Sequence, residues 1–163
     1  MFTPGPGKLR PILIKIAAKD CPACSVYDPK WPAIKDKISR SCNVEVREIN
    51  QNQKFTPIKQ SEGPLDLNNY ATKWYPCFVL VSGNSWAAAQ KNPHAKLDCM
   101  VYNSKKVNGN IVMDNPQVGF TDVELVPWIQ SVMGVAPSSN TPNVPSGEGG
   151  FCQINMKYKP IKI

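Results

Sequence analysis

The sequence is short of the residues that much enzyme machinery draws on. One histidine in 163 residues, His94 in the segment Asn92-Pro93-His94, leaves little for imidazole acid–base chemistry or a histidine-rich metal centre. It reads as a solvent-facing loop residue. There is no glycine-rich phosphate cradle, no serine-centred nucleophile motif and no paired-carboxylate motif, so nucleotide-dependent and hydrolytic chemistries lack their parts. No apolar run reaches the roughly 18 residues a membrane-spanning helix needs. Lys15 and Lys19 interrupt the first candidate, and Pro76 and Ser82 bound the next. A soluble product without a membrane span is therefore expected. The first residues lack a basic start, an apolar stretch and a small-residue cleavage site, so no secretory signal is evident and a cytoplasmic, reducing interior is the default.

What is present is proline and positive charge. Sixteen prolines are close to twice ordinary usage and fall in loops and at both ends. The formal charge is +7, from 19 basic and 12 acidic residues, which attracts anionic surfaces at low ionic strength. That charge is dispersed. Only Lys105-Lys106 and the spaced Lys157, Lys159 and Lys162 cluster, and no recognisable nucleic-acid motif accompanies them, so they read as solvated or partner-facing surface. An apolar content of 42% in a chain of this length suffices for one core and one domain.

Four regions are expected. Residues 1–8, rich in proline and glycine, form an extended arm, and residues 9–135 the folded domain. Residues 136–150 are a Ser/Asn/Pro/Gly-rich linker that cannot bury enough to fold alone. Residues 151–163 regain apolar character with Ile154, Tyr158, Ile161 and Ile163, which suits a C-terminal docking tail.

Within the domain, Ile12, Leu13, Ile14 and Ile16 form a β-branched run that fits a mostly buried strand, ended by Lys19-Asp20. From Cys24 a helical spacing takes over, with Val26, Trp31, Ile34 and Ile38 on one face. Pro29 and Pro32 predict a short first turn, a kink and a second segment to about Ser39. Residues 43–49 alternate as a half-exposed strand, 50–64 are polar loop, and 65–74 suit a short helix ending before Pro76. Residues 77–81 read as a compact apolar strand closed by Ser82-Gly83. Residues 85–90 turn helically once or twice. Residues 98–103 and 110–114 resemble two strands joined across a turn containing Asn108-Gly109. A last helix begins near Thr121, where Thr121 and Glu124 have capping-box spacing; Val126, Ile129 and Met133 line its inner face, and Gly134 stops it. Trp31, Trp74 and Trp128 read as core or rim. Trp86, between two strands, is the candidate exposed aromatic for a partner contact.

Cys21-Pro22-Ala23-Cys24 sits where the first strand gives way to the first helix. Two cysteines at this spacing can close a reversible disulfide and present one acidic thiol, because unpaired N–H groups and the positive helix end favour the leading thiolate. Cys21 would attack a target disulfide, and Cys24, further in, would attack Cys21 and release the reduced target. Lys19 favours the charged form and Asp20 opposes it. A structural disulfide or part of a metal site would use the same pair. Zinc, however, wants four ligands, and no second CxxC exists. Cys77 reads as a buried small hydrophobe or a further redox thiol, and Cys42, Cys99 and Cys152 are open between the same roles.

Over residues 9–135 the chain resembles the thioredoxin-like proteins, with Cys21-Pro22-Ala23-Cys24 at the family's active-site position and Tyr75-Pro76 at its second landmark. The resemblance implies an α/β fold with a central mixed sheet flanked by helices, here with an insertion between the strand ending at Val81 and the next near Asp98, and with extended termini. It implies that Pro76 is cis and lies opposite the dithiol, and that Tyr75 supplies a main-chain contact to an extended substrate. The Cys-Pro-x-Cys form is similar to the glutaredoxin branch, although no glutathione-binding set maps onto the chain. The aromatic residue and glycine of the family motif are absent, and Lys15 falls near the position of the family's buried acid.

Two functions follow. One is a thiol–disulfide oxidoreductase acting on protein thiols or disulfides through Cys21 and Cys24, with Tyr75 and Pro76 binding substrate and no cofactor or metal. The other is a structural or adaptor component of a large assembly such as a viral capsid, contacted through the termini; the protein would then sit in a virion or comparable particle. The proline-rich arm, the insertion and the apolar tail favour the second.

Overall fold

A strand buried along its whole length needs cover on both faces of its sheet, and the first strand is such an element. The structure, a computed structural model, describes residues 9–54, 74–92, 97–134 and 151–152. Strand β1 (Ile12–Ala18) is buried throughout and lies between two partners. It pairs in parallel with β2 (Glu45–Gln51) and antiparallel with β3 (Cys77–Val81). Strand β4 (Cys99–Val101) adds antiparallel to β3. The backbone of Phe151–Cys152, strand β7 by chain order, adds antiparallel to β4 and completes the order β2-β1-β3-β4-β7.

A parallel pair needs a long crossover, and the prolines shape this one. Helix α1 (Pro22–Tyr27) is followed by a 3-10 turn, Asp28–Lys30, and by α2 (Trp31–Ser41). Pro22, Pro29 and Pro32 each stand in the first turn of their segment, where a missing N–H costs nothing. The kinked two-segment expectation is thus what the chain adopts.

On one face of the sheet, Leu13, Phe78, Leu80 and Met100 pack against Tyr27 of α1, Trp31, Ile34 and Ile38 of α2, and Leu125, Trp128, Ile129 and Met133 of α4 (Asp122–Met133). Phe78 sits among the rings of Trp31, Tyr27 and Phe120, with centroids 5.8, 5.9 and 6.2 Å away. The opposite face, with Ile12, Ile14, Ile16, Val79 and Val81, is covered by Trp86 and Ala89 of α3 (Gly83–Lys91). The result is an α/β fold with a mixed sheet flanked by helices, consistent with a thioredoxin-like arrangement.

The insertion after Val81 is therefore α3, and its packing corrects one expectation. Trp86 is buried against the sheet with the Arg47 guanidinium over its ring at 5.3 Å, so it presents no exposed aromatic surface. Val26 is likewise corrected. It is 67% exposed, and Tyr27 turns inward in its place, because α1 ends before the spacing of α2 begins.

The predicted hairpin exists with a different first strand. Strand β5 (Ser104–Val107) pairs with β6 (Asn110–Met113) across Asn108-Gly109, both at positive φ, while β4 stays in the main sheet. Asn103, at φ 55°, breaks the chain between β4 and β5, a backbone state asparagine tolerates better than most residues. Helix α4 begins as its sequence indicates: the Thr121 N–H donates to Glu124 Oε1 at 2.8 Å, and Gly134 ends the helix at φ 77°. Residues 1–8, the expected helix apart from Trp74, most of the 50–64 loop, His94, the linker and the tail beyond Cys152 lie outside the described residues.

Candidate functional site

The C-terminal end of β1 and the N-terminal end of β3 meet at one end of the sheet's central strands, because Ile16 is in register with Cys77. Ala17 and Ala18 run on past that pair, and Tyr75-Pro76 precedes it on the neighbouring strand. Small residues at 17 and 18 leave room for the cysteines. Cys21 and Cys24 pack directly on Ala17 and Ala18, and Tyr75 packs against the same group. The dithiol and the Tyr75 landmark, 51 residues after Cys24 in sequence, are thus brought together.

Cys21 and Cys24 are joined as a disulfide with Cα atoms 5.2 Å apart. Cys21 is the N-cap of α1, and its Sγ accepts a hydrogen bond from the Cys24 N–H at 3.1 Å. An N–H aimed at a helix-capping sulfur stabilises negative charge there, which is what a leaving or attacking thiolate requires. Cys24 is 2% exposed and Cys21 4%, so in the disulfide form the leading cysteine is scarcely more open than its partner. Around them Pro22, Ala23 and Val26 are exposed and form an apolar ridge on the outer side of α1.

The turn from β1 into α1 is tied to the end of β2. The Lys19 N–H donates to the Gln51 carbonyl at 2.8 Å, and the Lys54 N–H donates to Asp20 Oδ1 at 2.8 Å. The Tyr75 hydroxyl donates to Gln51 Oε1 at 2.8 Å, which fixes the ring beside the disulfide. The Tyr75-Pro76 peptide bond is cis, and Pro76 itself is buried.

No protein-family model, curated protein or solved structure matches this chain. The site must be read from its own residues.

Beneath α1 lies a group whose partner the sequence did not reveal. Lys15, on the helix-covered face of β1, is 2% exposed, and its Nζ meets Asp28 Oδ1 at 3.1 Å. The ammonium also lies over the rings of Trp31 and Tyr27, 5.4 and 5.9 Å from their centroids. Cation–π attraction offsets part of its lost hydration. The available signal was a lysine inside an apolar strand together with an acidic residue at the far end of the first helix.

The remaining described thiols are packed away. Cys77 and Cys99 are buried on the α3 face of the sheet, and burial pushes the Cys42 thiol up to about 11. Burial is also the first cause that raises the Tyr27 and Tyr102 hydroxyls well above the ordinary phenol value; nearby carboxylates add to it. Both hydroxyls donate to backbone carbonyls, Tyr27 to Phe120 and Tyr102 to Gly119. Among the described residues no group of three or more His, Cys, Asp or Glu side chains could hold a metal ion. No helix among them is long and apolar enough to cross a membrane.

Proposed function

We propose that the protein is a thiol–disulfide oxidoreductase that acts on protein disulfides through Cys21 and Cys24. The observation that carries this reading is the disulfide at the start of α1, with the Cys24 N–H directed at Cys21 Sγ. In the reduced form the Cys21 thiolate attacks one sulfur of a target disulfide, expelling the other as a thiolate and leaving a mixed disulfide. Cys24, losing its proton, attacks Cys21 Sγ and expels the target's remaining sulfur. Two electrons have then passed to the target, and the Cys21–Cys24 bond is restored. Tyr75 and Pro76 serve as the substrate-binding pair beside the dithiol, and the apolar ridge of Pro22, Ala23 and Val26 receives the flanking part of an unfolded or extended chain.

A protein-disulfide reduction assay supplied with a small dithiol tests this. Cys21→Ser should abolish turnover, and Cys24→Ser, reduced beforehand and mixed with the target after the dithiol is removed, should accumulate the mixed disulfide, visible as a mass increase that added reductant reverses. Wild-type turnover equal to that of the double serine variant would reject the enzyme. It would favour instead the reading in which the disulfide is a staple within an adaptor or structural unit of a larger assembly. The near closure of Cys21, 4% exposed, is the observation on that side.

A further inference from the structure

A lysine held in a core is costly unless something there needs it. Burying an ion pair commonly contributes no more stability than an apolar pair of the same shape, so a methionine could fill the space of Lys15 without the need for Asp28. The pair stands, moreover, on the helix that carries the dithiol. The Asp28 N–H donates to the Cys24 carbonyl, which continues the helical pattern one residue past α1. Residues four apart on a helix are neighbours, with Cβ atoms about 5–6 Å apart. The Asp28 carboxylate is therefore one turn from Cys24, and the Lys15 ammonium is 3.1 Å beyond that carboxylate. Asp28 also has the wrong sign for the C-terminal end of α1, where the helix dipole favours a cation. Lys15 supplies that cation.

We propose that the Lys15–Asp28 pair sets the redox poise of the Cys21–Cys24 couple, Lys15 favouring and Asp28 opposing the thiolate of the reduced form. Reduction by dithiothreitol breaks the Sγ–Sγ bond and passes two electrons to the cysteines while the reagent closes to its own cyclic disulfide. Cys21 and Cys24 end as one thiolate and one thiol, taking up one of the two protons the reagent gives up. The new negative charge forms in a region where Lys15 is nine-tenths or more buried and weakly screened, whereas Asp28, 53% exposed, is better screened. Other charged groups here include Lys19, Asp20 and Lys54 at the turn, where Asp20 accepts from the Lys54 N–H, and Asp122 and Glu124 of α4, which act on Tyr27 beside the Lys15 ammonium. The Tyr27 hydroxyl, held well above its ordinary value by burial first, stays neutral near pH 7.

This inference rests on the dithiol being redox-active, yet its readout is an equilibrium and not turnover. The full-length protein, Lys15→Met, Asp28→Asn and the double variant are equilibrated at pH 7 in dithiothreitol buffers of graded oxidation. The peptide containing Cys21 and Cys24 is then scored by mass spectrometry after acid quenching and alkylation. Lys15→Met should lower the equilibrium constant for reduction about tenfold, a potential about 30 mV more negative for a two-electron couple. Asp28→Asn should raise it, and the double variant should fall between the two. A structural role would change the unfolding midpoint without moving the potentials in opposite directions. Shifts of the same sign, or both variants within threefold of wild type, overturn the proposal. If Lys15→Met does not fold, the sign of the Asp28→Asn shift alone decides. A wild type that turns over no protein disulfide but shows the opposed shifts would remove the proposed function and leave this inference standing.

Discussion

Alkylation kinetics separate a reactive thiol from a packed one. Burial pushes the Cys42 thiol up to about 11, so at pH 7 about one molecule in ten thousand carries a thiolate there. An ordinary thiol near 8.5 is about 3% ionised at the same pH. The ratio is about 300, before any steric hindrance to the reagent is counted. Cys21 starts from the other side, since its sulfur caps α1 and accepts the Cys24 N–H at 3.1 Å. Donors and a helix N-terminus both favour its thiolate. Cys21 and Cys42 are 4% and 6% exposed, so access does not separate them, and in the reduced protein at pH 7 iodoacetamide should modify Cys21 about 300 times faster than Cys42.

The assay is a time course after removal of reductant, with each cysteine-containing peptide followed by mass spectrometry. A second axis sharpens it. Between pH 7 and 9 the Cys42 rate should rise about a hundredfold, because both values lie below its titration. The Cys21 rate should rise less, because the Cys24 N–H directed at its sulfur favours the thiolate. Rates for Cys21 and Cys42 within tenfold of each other would refute the assignment of Cys21 as nucleophile. Faster modification of Cys24 than of Cys21 would reverse their roles.

Two stability measurements bear on the scaffold. The Cys42 pKa is raised from 9.0 to about 11, so the unfolded chain loses that proton first; stability present below pH 9 is lost as pH climbs toward 11, by about 2–3 kcal/mol in full. Tyr27 and Tyr102, also raised by burial, act in the same direction above pH 10. Urea midpoints from pH 8 to 10.5 should fall in wild type and fall less in Cys42→Ala; parallel curves would contradict the burial argument. At Gly83 an added Cβ would stand 2.1 Å from the Arg10 carbonyl oxygen, where the chain entering β1 crosses the start of α3. Gly83→Ala should cost about 1–3 kcal/mol, and an unshifted urea midpoint would show that this crossing is loose.

The elements most legible in the sequence were those whose local chemistry and tertiary setting agree. Strand β3 and, apart from Lys15, strand β1 are apolar on both faces because both faces are covered, and the Thr121, Glu124 and Gly134 signals bound α4 on the local rules for helix ends. The dithiol and Tyr75 were also legible, as separate motifs, and the register of Ile16 with Cys77 is what joins them. Expectation failed where packing decides. Trp86 lies in a segment with little hydrophobic pattern, and only the position of α3 over the sheet shows that its ring is inside. The strand boundary at Asn103 failed for a different reason: Lys105 and Lys106 read as solvated surface and not as a strand, and a single left-handed residue, Asn103, separates β4 from β5.

Lys15 shows the limit most clearly, because the same residue supports opposite inferences before and after its partner is known. In the sequence it is a lysine where an acid was expected, which counts against efficient proton handling at Cys24. In the fold it comes with Asp28, and α1 is short enough that the carboxylate reaches it from the far end of that helix. The length of α1 is set in turn by Pro22 in its first turn and by Pro29, which starts the 3-10 segment. Asp28 itself still has helical backbone angles, φ −54° and ψ −38°, and its N–H donates to the Cys24 carbonyl, so its place one turn beyond Cys24 is the helical one. Cys24 thus stands between the capping sulfur of Cys21 at one end of α1 and the Lys15–Asp28 pair at the other, and on the proposed reading the redox poise of the dithiol would follow from the balance of those two ends.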